Sequence, residues 1–220
     1  LTDPTLLTVS ITSNDPTCAG LSDGDATALG AGGTAPLSYS WLPTGGSGTT
    51  ASGLTAGIEY LVTVTDSNSC TATDSVTLSD PPVISFTTTA VDATCFGVCD
   101  GEVSWTASGG TGIITSELFL IGTPDISQGS TNPTTGLCQG DYFVVHTDGL
   151  LCVQNSDTVT INEPTLLTVS ITSNDPSCTG LSDGDATALG AGGTGTLNYS
   201  WIPPGSSGPG VSGLTAGINY

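Results

Sequence analysis

Seven cysteines give this chain its most distinctive chemistry. Aligning the internal repeats of the sequence places these residues in equivalent positions and predicts three disulfides: Cys18–Cys70, Cys95–Cys152 and Cys99–Cys138. Cys178 repeats Cys18, and we expect its partner to lie beyond Tyr220. A bridge that closes a loop of about 50 residues stabilises a small domain by roughly 4 kcal/mol, because it restricts the unfolded chain. Such bridges persist outside the reducing cytoplasm.

A zinc site is the rival interpretation of the cysteines. The spacing in Cys95-Phe-Gly-Val-Cys99 suits zinc, but a zinc site needs a second close pair of Cys or His ligands. His146 is the single histidine of the chain and cannot complete such a site in each repeat. We therefore favour disulfides over a metal site.

Acidic residues beside glycine suggest calcium binding, because hard cations prefer several oxygen ligands. The weak candidates lie in three related motifs: Asp23 and Asp25, Asp100 and Glu102, and Asp183 and Asp185. A complete set of ligand positions is missing, so we favour a turn in which the aspartate bonds to the backbone and the glycine takes a positive φ. Calcium between domains, held by Asp80 or Glu163, is left open.

Catalytic chemistry is not indicated. His146 lies in a predicted strand without a neighbouring nucleophile or base, so we interpret it as structural. Carboxylate pairs for glycoside hydrolysis are available among the 20 acidic residues. A catalytic site repeated at constant spacing, without a differing substrate domain, is not expected. We predict no catalytic residues, no enzymatic activity and no cofactor other than the weak calcium candidates.

The sequence repeats internally, and several of the candidate residues recur with the repeat. Residues 4–16 return letter for letter at 164–176, a shift of 160 residues, and the match continues with few changes to Tyr220. A weaker match halves this unit, because Asp15-Pro-Thr-Cys18 aligns with Asp92-Ala-Thr-Cys95. We predict repeat A at 1–81, repeat B at 82–163 and repeat A′ at 164–220, an incomplete copy of 4–60. We expect the natural chain to continue.

Short segments of alternating apolar and polar residues predict an all-β fold. Examples are Leu7–Ile11, Tyr60–Val64, Glu102–Trp105 and Asp157–Ile161. Clusters of Gly, Pro, Ser and Asn separate such segments at the roughly 8–12-residue spacing of a β-sandwich. No window shows helical periodicity. Trp41 and Trp201 recur at one repeat position, and we expect them to anchor the cores.

The charge of the chain excludes several partners. It has no Lys or Arg and 20 acidic residues, a formal net charge of −20. Nucleic acids and anionic membranes are excluded, because binding to phosphates requires cationic side chains. The carboxylates must be solvated, hydrogen-bonded or matched by dissolved cations, so we expect salt to stabilise the protein. No transmembrane segment or targeting sequence is visible.

The ordered motifs of the chain resemble the SprB-type repeat of very large cell-surface adhesins in gliding Bacteroidetes. The resemblance is carried by Cys18–Gly24, Gly32–Thr34, Tyr39–Trp41, Gly53–Gly57 and Val62–Asp66. Repeat B is similar to the variant with a second cysteine pair, although Ser116–Leu120 replaces the Tyr-x-Trp segment. The resemblance implies tandem Ig-like β-sandwich domains in a linear array on an extracellular protein exported by a type IX pathway. It implies no catalytic residues.

Three short patterns suggest glycans. Ser75 and Thr158 lie in Asp-Ser/Thr-aliphatic sequences that resemble the O-glycosylation sequon of the same phylum. Asn198-Tyr-Ser200 matches an N-glycosylation pattern. Ordinary strand-edge residues are the alternative, because three-residue patterns arise easily in Thr-rich chains.

Together these features predict a structural and adhesive stalk or filament outside the cell, with repeats or copies of the same protein as partners. One alternative is a homopolymeric fibre whose copies associate laterally or by strand exchange. Another chain, or the continuation of this one, would then cover Val211, Leu214 and Ile218 of repeat A′. The other is a module that binds surface glycans through the loops 42–52 and 122–135.

Overall fold

A computed structural model describes residues 5–203 and 205–220. The predicted start of repeat A at residues 1–4 lies outside the described residues. The regular structure of the described residues consists of strands in small sheets, and no helix occurs among them. The prediction of an all-β fold with Ig-like β-sandwich domains is confirmed.

Repeat A forms a sandwich of two three-stranded sheets. Its strands are β1 (Thr8–Asn14), β2 (Gly24–Ala31), β3 (Ser38–Leu42), β4 (Thr50–Leu54), β5 (Glu59–Thr65) and β6 (Thr71–Thr77). One sheet has the order β1-β2-β4 and the other β3-β5-β6. Alternate residues of β5 point inward, so Val62 and Val64 are fully buried and pack with Ala26 of the facing sheet. Trp41 fills the centre of this core, as predicted.

Repeat B has a similar plan with two additional short strands. Its strands are β7 (Ile84–Val91), β8 (Gly101–Gly109), β9 (Thr115–Leu120), β10 (Ile126–Gly129), β11 (Thr134–Leu137), β12 (Gly140–Thr147), β13 (Val153–Asn155) and β14 (Val159–Ile161). One sheet has the order β11-β8-β7 and the other β10-β9-β12-β13, with β14 also paired to β12. Its buried cluster includes Val103, Leu118 and Val144.

Repeat A′ has a counterpart of the β1-β2-β4 sheet of repeat A and only part of a counterpart of the β3-β5-β6 sheet. Its strands are β15 (Thr168–Asn174), β16 (Gly184–Ala191), β17 (Ser200–Trp201), β18 (Ser206–Ser207) and β19 (Gly210–Leu214). Val211 and Leu214, which the fibre alternative leaves for another strand to cover, are already buried in a cluster with Trp201. Ile218 is half exposed, and Val169 and Ile171 of β15 are also uncovered.

Packing divides the chain into two compact units. The first comprises Leu1–Thr87, Thr106–Ser116 and Val145–Ser156. The second comprises Thr88–Trp105, Glu117–Val144 and Asp157–Tyr220. Residues of repeat B contribute to both units, whereas the sequence similarity places its seams near 81 and 163. The predicted repeat boundaries therefore stay a prediction.

Candidate functional site: the cysteine loops and cysteine hairpins

Three loops of one design carry Cys18, Cys95 and Cys178. We call residues 15–23, 92–100 and 175–183 the cysteine loops. In the first loop the Asp23 carboxylate accepts hydrogen bonds from the hydroxyl of Thr17 and from its amide, the latter at 3.0 Å. The same arrangement joins Thr94 to Asp100 and Ser177 to Asp183. Each loop therefore has a fixed shape set by its own residues.

The hydrogen bonds in the cysteine loops also determine the charge state of their aspartates. The side-chain hydroxyl of Thr17, followed by its backbone amide, lowers the pKa of Asp23 below the usual value. Thr94 and Ser177 lower the pKa values of Asp100 and Asp183 in the same way. These carboxylates therefore stay ionised at neutral pH, each held by neutral donors rather than by a cation.

The remaining calcium candidates have separate partners. Asp25 and Asp185 each accept a hydrogen bond of 3.0 Å from an asparagine side chain, while Glu102 lies half-buried on β8 opposite Thr135. Asp80 and Glu163 accept bonds from backbone amides of the cysteine loops in their own units. Within residues 5–203 and 205–220, no three Cys, His, Asp or Glu side chains form a group that could hold a metal ion.

The glycine of the Asp-Gly-Asp motif has a different role from the predicted one. Gly24 does not take a positive φ; it is buried and begins β2. A Cβ atom at this position would lie 2.6 Å from Cδ1 of Leu78 and 3.0 Å from the carbonyl oxygen of Leu54. Gly101 has the corresponding close approach to Ile161. The glycine is therefore required by packing between strands, and the predicted turn is wrong at this residue.

Two hairpins of one design carry Cys70 and Cys152. We call residues 66–70 and 148–152 the cysteine hairpins. Asp66 is almost fully buried and accepts bonds from the amides of Thr34, Asn68 and Cys70 at 3.0, 2.8 and 2.8 Å. Ser69 takes a φ of 69°, which lets the chain turn tightly around the carboxylate.

The second cysteine hairpin repeats the first. Asp148 accepts bonds from the amides of Thr111, Leu150 and Cys152, and Leu151 has a φ of 66°. The bond from Thr111 is the main cause that lowers the pKa of Asp148, and the bond from Thr34 does the same for Asp66. Sequence reasoning did not assign these aspartates a role, although their matching positions after β5 and β12 were a visible signal.

Cys18 forms a disulfide with Cys152, and their Cα atoms are 5.6 Å apart. Both residues lie in the first compact unit, and 134 positions separate them in the sequence. Cys70 and Cys95 are exposed and unbonded. The bond joins a cysteine loop of repeat A to a cysteine hairpin of repeat B. The predicted pairs Cys18–Cys70 and Cys95–Cys152 are therefore wrong.

Strand length explains why the predicted pair Cys18–Cys70 does not form. The Ser79 amide donates a hydrogen bond to Asp15 of the first cysteine loop, so that loop lies at the far end of β6 from Cys70. Seven residues of strand span roughly 23 Å, whereas bonded cysteines have Cα atoms within about 7 Å. In repeat B, Cys152 belongs to the first compact unit and Cys95 to the second.

The third predicted disulfide, between Cys99 and Cys138, is present within the second compact unit. Cys178 is exposed and unbonded. The expected partner of Cys178 beyond Tyr220 stays a prediction.

His146 is a buried structural residue of β12. Its Nδ1 lies 2.8 Å from the Ser116 hydroxyl, its ring stacks on Phe86, and its Nε2 has no hydrogen-bond partner in the described part of the chain. Burial lowers the pKa of His146, so the ring is neutral at physiological pH.

The predicted glycan acceptors are all accessible. Ser75, Thr158 and Asn198 have exposed side chains, with Ser75 on β6. Their modification stays a prediction.

Part of the chain, including the first cysteine loop, is similar to a known family of repeats. Residues 10–48 match the family model of the SprB repeat. The resemblance predicted from the sequence is thereby confirmed for this part of the chain. The SprB match begins in β1, includes the first cysteine loop and ends beyond β3, so it contains Cys18 but not Cys70.

A comparison with solved structures also finds similar chains. The chain is similar in fold to three N-terminal domains of the Highly Immunogenic Outer Capsid protein (Hoc) of bacteriophage RB49, with a TM-score of 0.42 and 15% identity. That similarity covers 87% of this chain and 71% of the phage chain. No curated protein matches the sequence. The described residues form no helix capable of crossing a membrane.

Proposed function

We propose that this chain is a load-bearing segment of an extracellular stalk or filament, and that the whole protein uses it for adhesion. The disulfide between Cys18 and Cys152 carries this proposal, because it links sequence repeats covalently instead of closing each repeat on itself. The match to the SprB repeat, which is typical of cell-surface proteins, supports a structural role at the surface.

The position of the disulfide favours resistance to stretching. A pulling force enters repeat A through β1, whose neighbour along the chain is the first cysteine loop. The bond at Cys18 transfers this force to Cys152, so the residues between them are not extended even when their strands separate. The antiparallel ladders of the sandwiches then act as a second resistance, since many hydrogen bonds must break together.

The surface charge is consistent with the same setting. Twenty acidic residues without Lys or Arg keep an extended protein soluble and repel other polyanions. Glycans at Ser75 and Thr158 would cover exposed sheet edges with a hydrated layer. No catalytic role is needed for any of these properties.

Single-molecule stretching between the two chain termini tests the proposal. In the oxidised protein the Cys18–Cys152 bond should hide 134 residues, and reduction should release roughly 450 Å of additional extension at about 3.4 Å per residue. Force peaks in both states are expected, because the sandwiches themselves resist unfolding. Extension without force peaks would contradict a load-bearing role.

The surface location needs a separate experiment. Antibodies against this segment should label intact cells, and chymotrypsin should release the label. Trypsin is the matched control, because this segment has no Lys or Arg for it to cleave after. Labelling that requires permeabilised cells would contradict an extracellular location.

A further inference from the structure

Two reciprocal hydrogen bonds hold the first cysteine loop to the chain segment that leads into repeat B. The amide of Ser79 donates to the carboxylate of Asp15 in the loop at 2.9 Å, and the loop amide of Gly20 donates to the carboxylate of Asp80 at 3.0 Å. We call these four residues the first clasp, and all four lie in the first compact unit. Because Asp15 and Gly20 lie on opposite sides of Cys18 in the sequence, the clasp holds the loop at two points around its cysteine.

The second cysteine loop has the same pair of bonds. The amide of Asn162 donates to Asp92 at 2.8 Å, and the amide of Gly97 donates to Glu163 at 2.7 Å. We call these four residues the second clasp, and they lie in the second compact unit. In each clasp the donor glycine is the second residue after the loop cysteine, and one acceptor carboxylate directly precedes a proline. The arrangement is therefore a repeated feature, and either aspartate or glutamate serves before the proline.

The clasp places the cysteine loop beside the repeat that follows it. From Asp80 the chain continues through two prolines and one valine to Ile84, the first residue of β7. Ala19 of the first cysteine loop lines a concavity with Ile84 and Cys152. The segment that holds the loop thus leads directly to the concavity that contains the hairpin cysteine. Proline fixes its own φ, so little backbone freedom separates the clasp from this concavity.

The second cysteine loop shows that this placement does not require a disulfide. Cys95 is unbonded, yet Cys95 and Phe96 line a concavity with Leu166 and Leu167, which follow the second clasp in the sequence. Both loops therefore lie at the start of the following repeat, although only the loop of Cys18 is bonded there. The two loops share the clasp and the apolar edge, so these contacts, and not the bond, determine where the loop lies.

We propose that Asp15 and Asp80 are positioning residues for the Cys18–Cys152 disulfide, because they hold the loop where its thiol meets that of the hairpin. A loop that is already ordered loses less conformational entropy when the bond forms, which raises the effective concentration of one thiol at the other. The clasp and the bond constrain the same loop, so each strengthens the other by the same factor at equilibrium. The proposal deepens the stalk function and rests on it for its biological role, whereas the positioning rests on the hydrogen bonds of the clasp.

The bond can form by thiol–disulfide exchange with oxidised glutathione. The thiolate of one cysteine attacks oxidised glutathione, forms a mixed disulfide and releases one molecule of reduced glutathione. The thiolate of the second cysteine attacks the protein sulfur of the mixed disulfide and releases the second molecule. Two protein thiols lose two protons and two electrons, and one oxidised glutathione becomes two reduced molecules.

The test measures how readily each disulfide of the folded 220-residue protein is reduced. The protein is equilibrated with fixed ratios of reduced and oxidised glutathione and then alkylated, and chymotryptic peptides report the bonded fraction of Cys18–Cys152. Asp80→Ala should lower the equilibrium constant of this bond about tenfold, the effect of losing one hydrogen bond to a charged group. Cys99–Cys138 is the internal reference and should be unchanged, because it lies in the second compact unit.

Two further variants separate positioning from a general loss of stability. Asp80→Glu should retain most of the equilibrium constant of the Cys18–Cys152 bond, because Glu163 makes the same contact in the second clasp. Glu59→Ala removes an exposed charge of β5 outside the clasp and should leave both disulfides unchanged. The proposal is overturned if Asp80→Ala leaves the bond as stable as before, if Asp80→Glu weakens it as much as Asp80→Ala, or if both disulfides weaken together.

Asp15→Ala removes the other half of the first clasp and should weaken the Cys18–Cys152 bond in the same direction. A bond that is unaffected by this substitution would overturn the role of Asp15. Neither failure would affect the stretching test of the stalk function, which uses the unsubstituted protein with its disulfide already formed.

Discussion

The buried carboxylate of Asp148 accepts a hydrogen bond of 2.9 Å from the backbone amide of Cys152, the cysteine that is bonded to Cys18. Asp66 makes the same contact with Cys70 at 2.8 Å. A carboxylate at the centre of each cysteine hairpin thus fixes the backbone that presents the thiol. The backbone at Cys70 and Cys152 is therefore held by a hydrogen bond from each cysteine amide to a carboxylate.

Asp148→Asn should loosen its cysteine hairpin. The amide side chain has one acceptor oxygen in place of two, and its NH₂ group would face a backbone donor, either that of Thr111 or those of Leu150 and Cys152. We expect a lower urea midpoint at neutral pH. Glu59→Gln, which removes one charge from an exposed residue, is the control and should leave the midpoint nearly unchanged. Equal midpoints for both variants would contradict the role assigned to Asp148.

Acid should destabilise the protein in a defined pH range. The pKa values of Asp23, Asp66, Asp100, Asp148 and Asp183 lie below the usual 3.8 because of the hydrogen bonds they accept. The unfolded chain therefore binds more protons than the folded chain as the pH falls. Their contribution is complete above pH 3.8 and is lost as the pH falls through the lowered folded values. Urea unfolding across this range measures the effect, and a constant midpoint would contradict it.

His146→Val should make the protein more stable. Val64 occupies the equivalent buried position in repeat A, and the substitution removes the unpaired Nε2 of the histidine. We expect a gain of about 1 kcal/mol at pH 7.5. The gain should grow as the pH falls below 6.5, because the unfolded histidine takes a proton that burial denies to the folded one. A gain independent of pH would show that His146 is not buried in its neutral form.

Gly24→Ala should destabilise the first sandwich by about 2 kcal/mol, because the added methyl group would overlap Leu78 and the Leu54 carbonyl. Gly46→Ala is the matched control, since its Cβ would lie 3.7 Å from the Trp41 ring, an ordinary contact. Thermal or urea unfolding of both variants compares them directly. If Gly24→Ala were as stable as Gly46→Ala, the packing role of Gly24 would be refuted.

Salt should raise the unfolding temperature at low ionic strength, because screening weakens the repulsion among 20 acidic residues. Most of the increase is expected between about 10 and 150 mM NaCl, where the Debye length shortens from roughly 30 to 8 Å. At equal ionic strength, Ca²⁺ and Mg²⁺ should act alike, since the aspartates of the cysteine loops are engaged with Thr17, Thr94 and Ser177. A specific increase with Ca²⁺ alone would indicate a calcium site.

Local sequence features predicted the fold class well. Apolar and polar residues alternate in Tyr60–Val64, and this alternation indicates which face of the strand is buried. The pattern can be read from residues that are neighbours along the chain. The repeat alignment likewise identified the equivalence of Cys18, Cys95 and Cys178, and the structure gives all three the same loop. The role of Gly24 was missed because the atoms that crowd it belong to Leu78 and Leu54, more than 25 residues away.

The sequence by itself determined that the chain consists of β-strand repeats, that it is acidic, and that five of its seven cysteines occupy two repeated kinds of position. It predicted the pair Cys99–Cys138 correctly but could not determine the partner of Cys18. That depended on the length and direction of the strands, because β6 separates Cys70 from the first cysteine loop by more than a disulfide can span. Tertiary structure alone brought Cys18 to Cys152, and so decided that the covalent bond joins repeats instead of closing them.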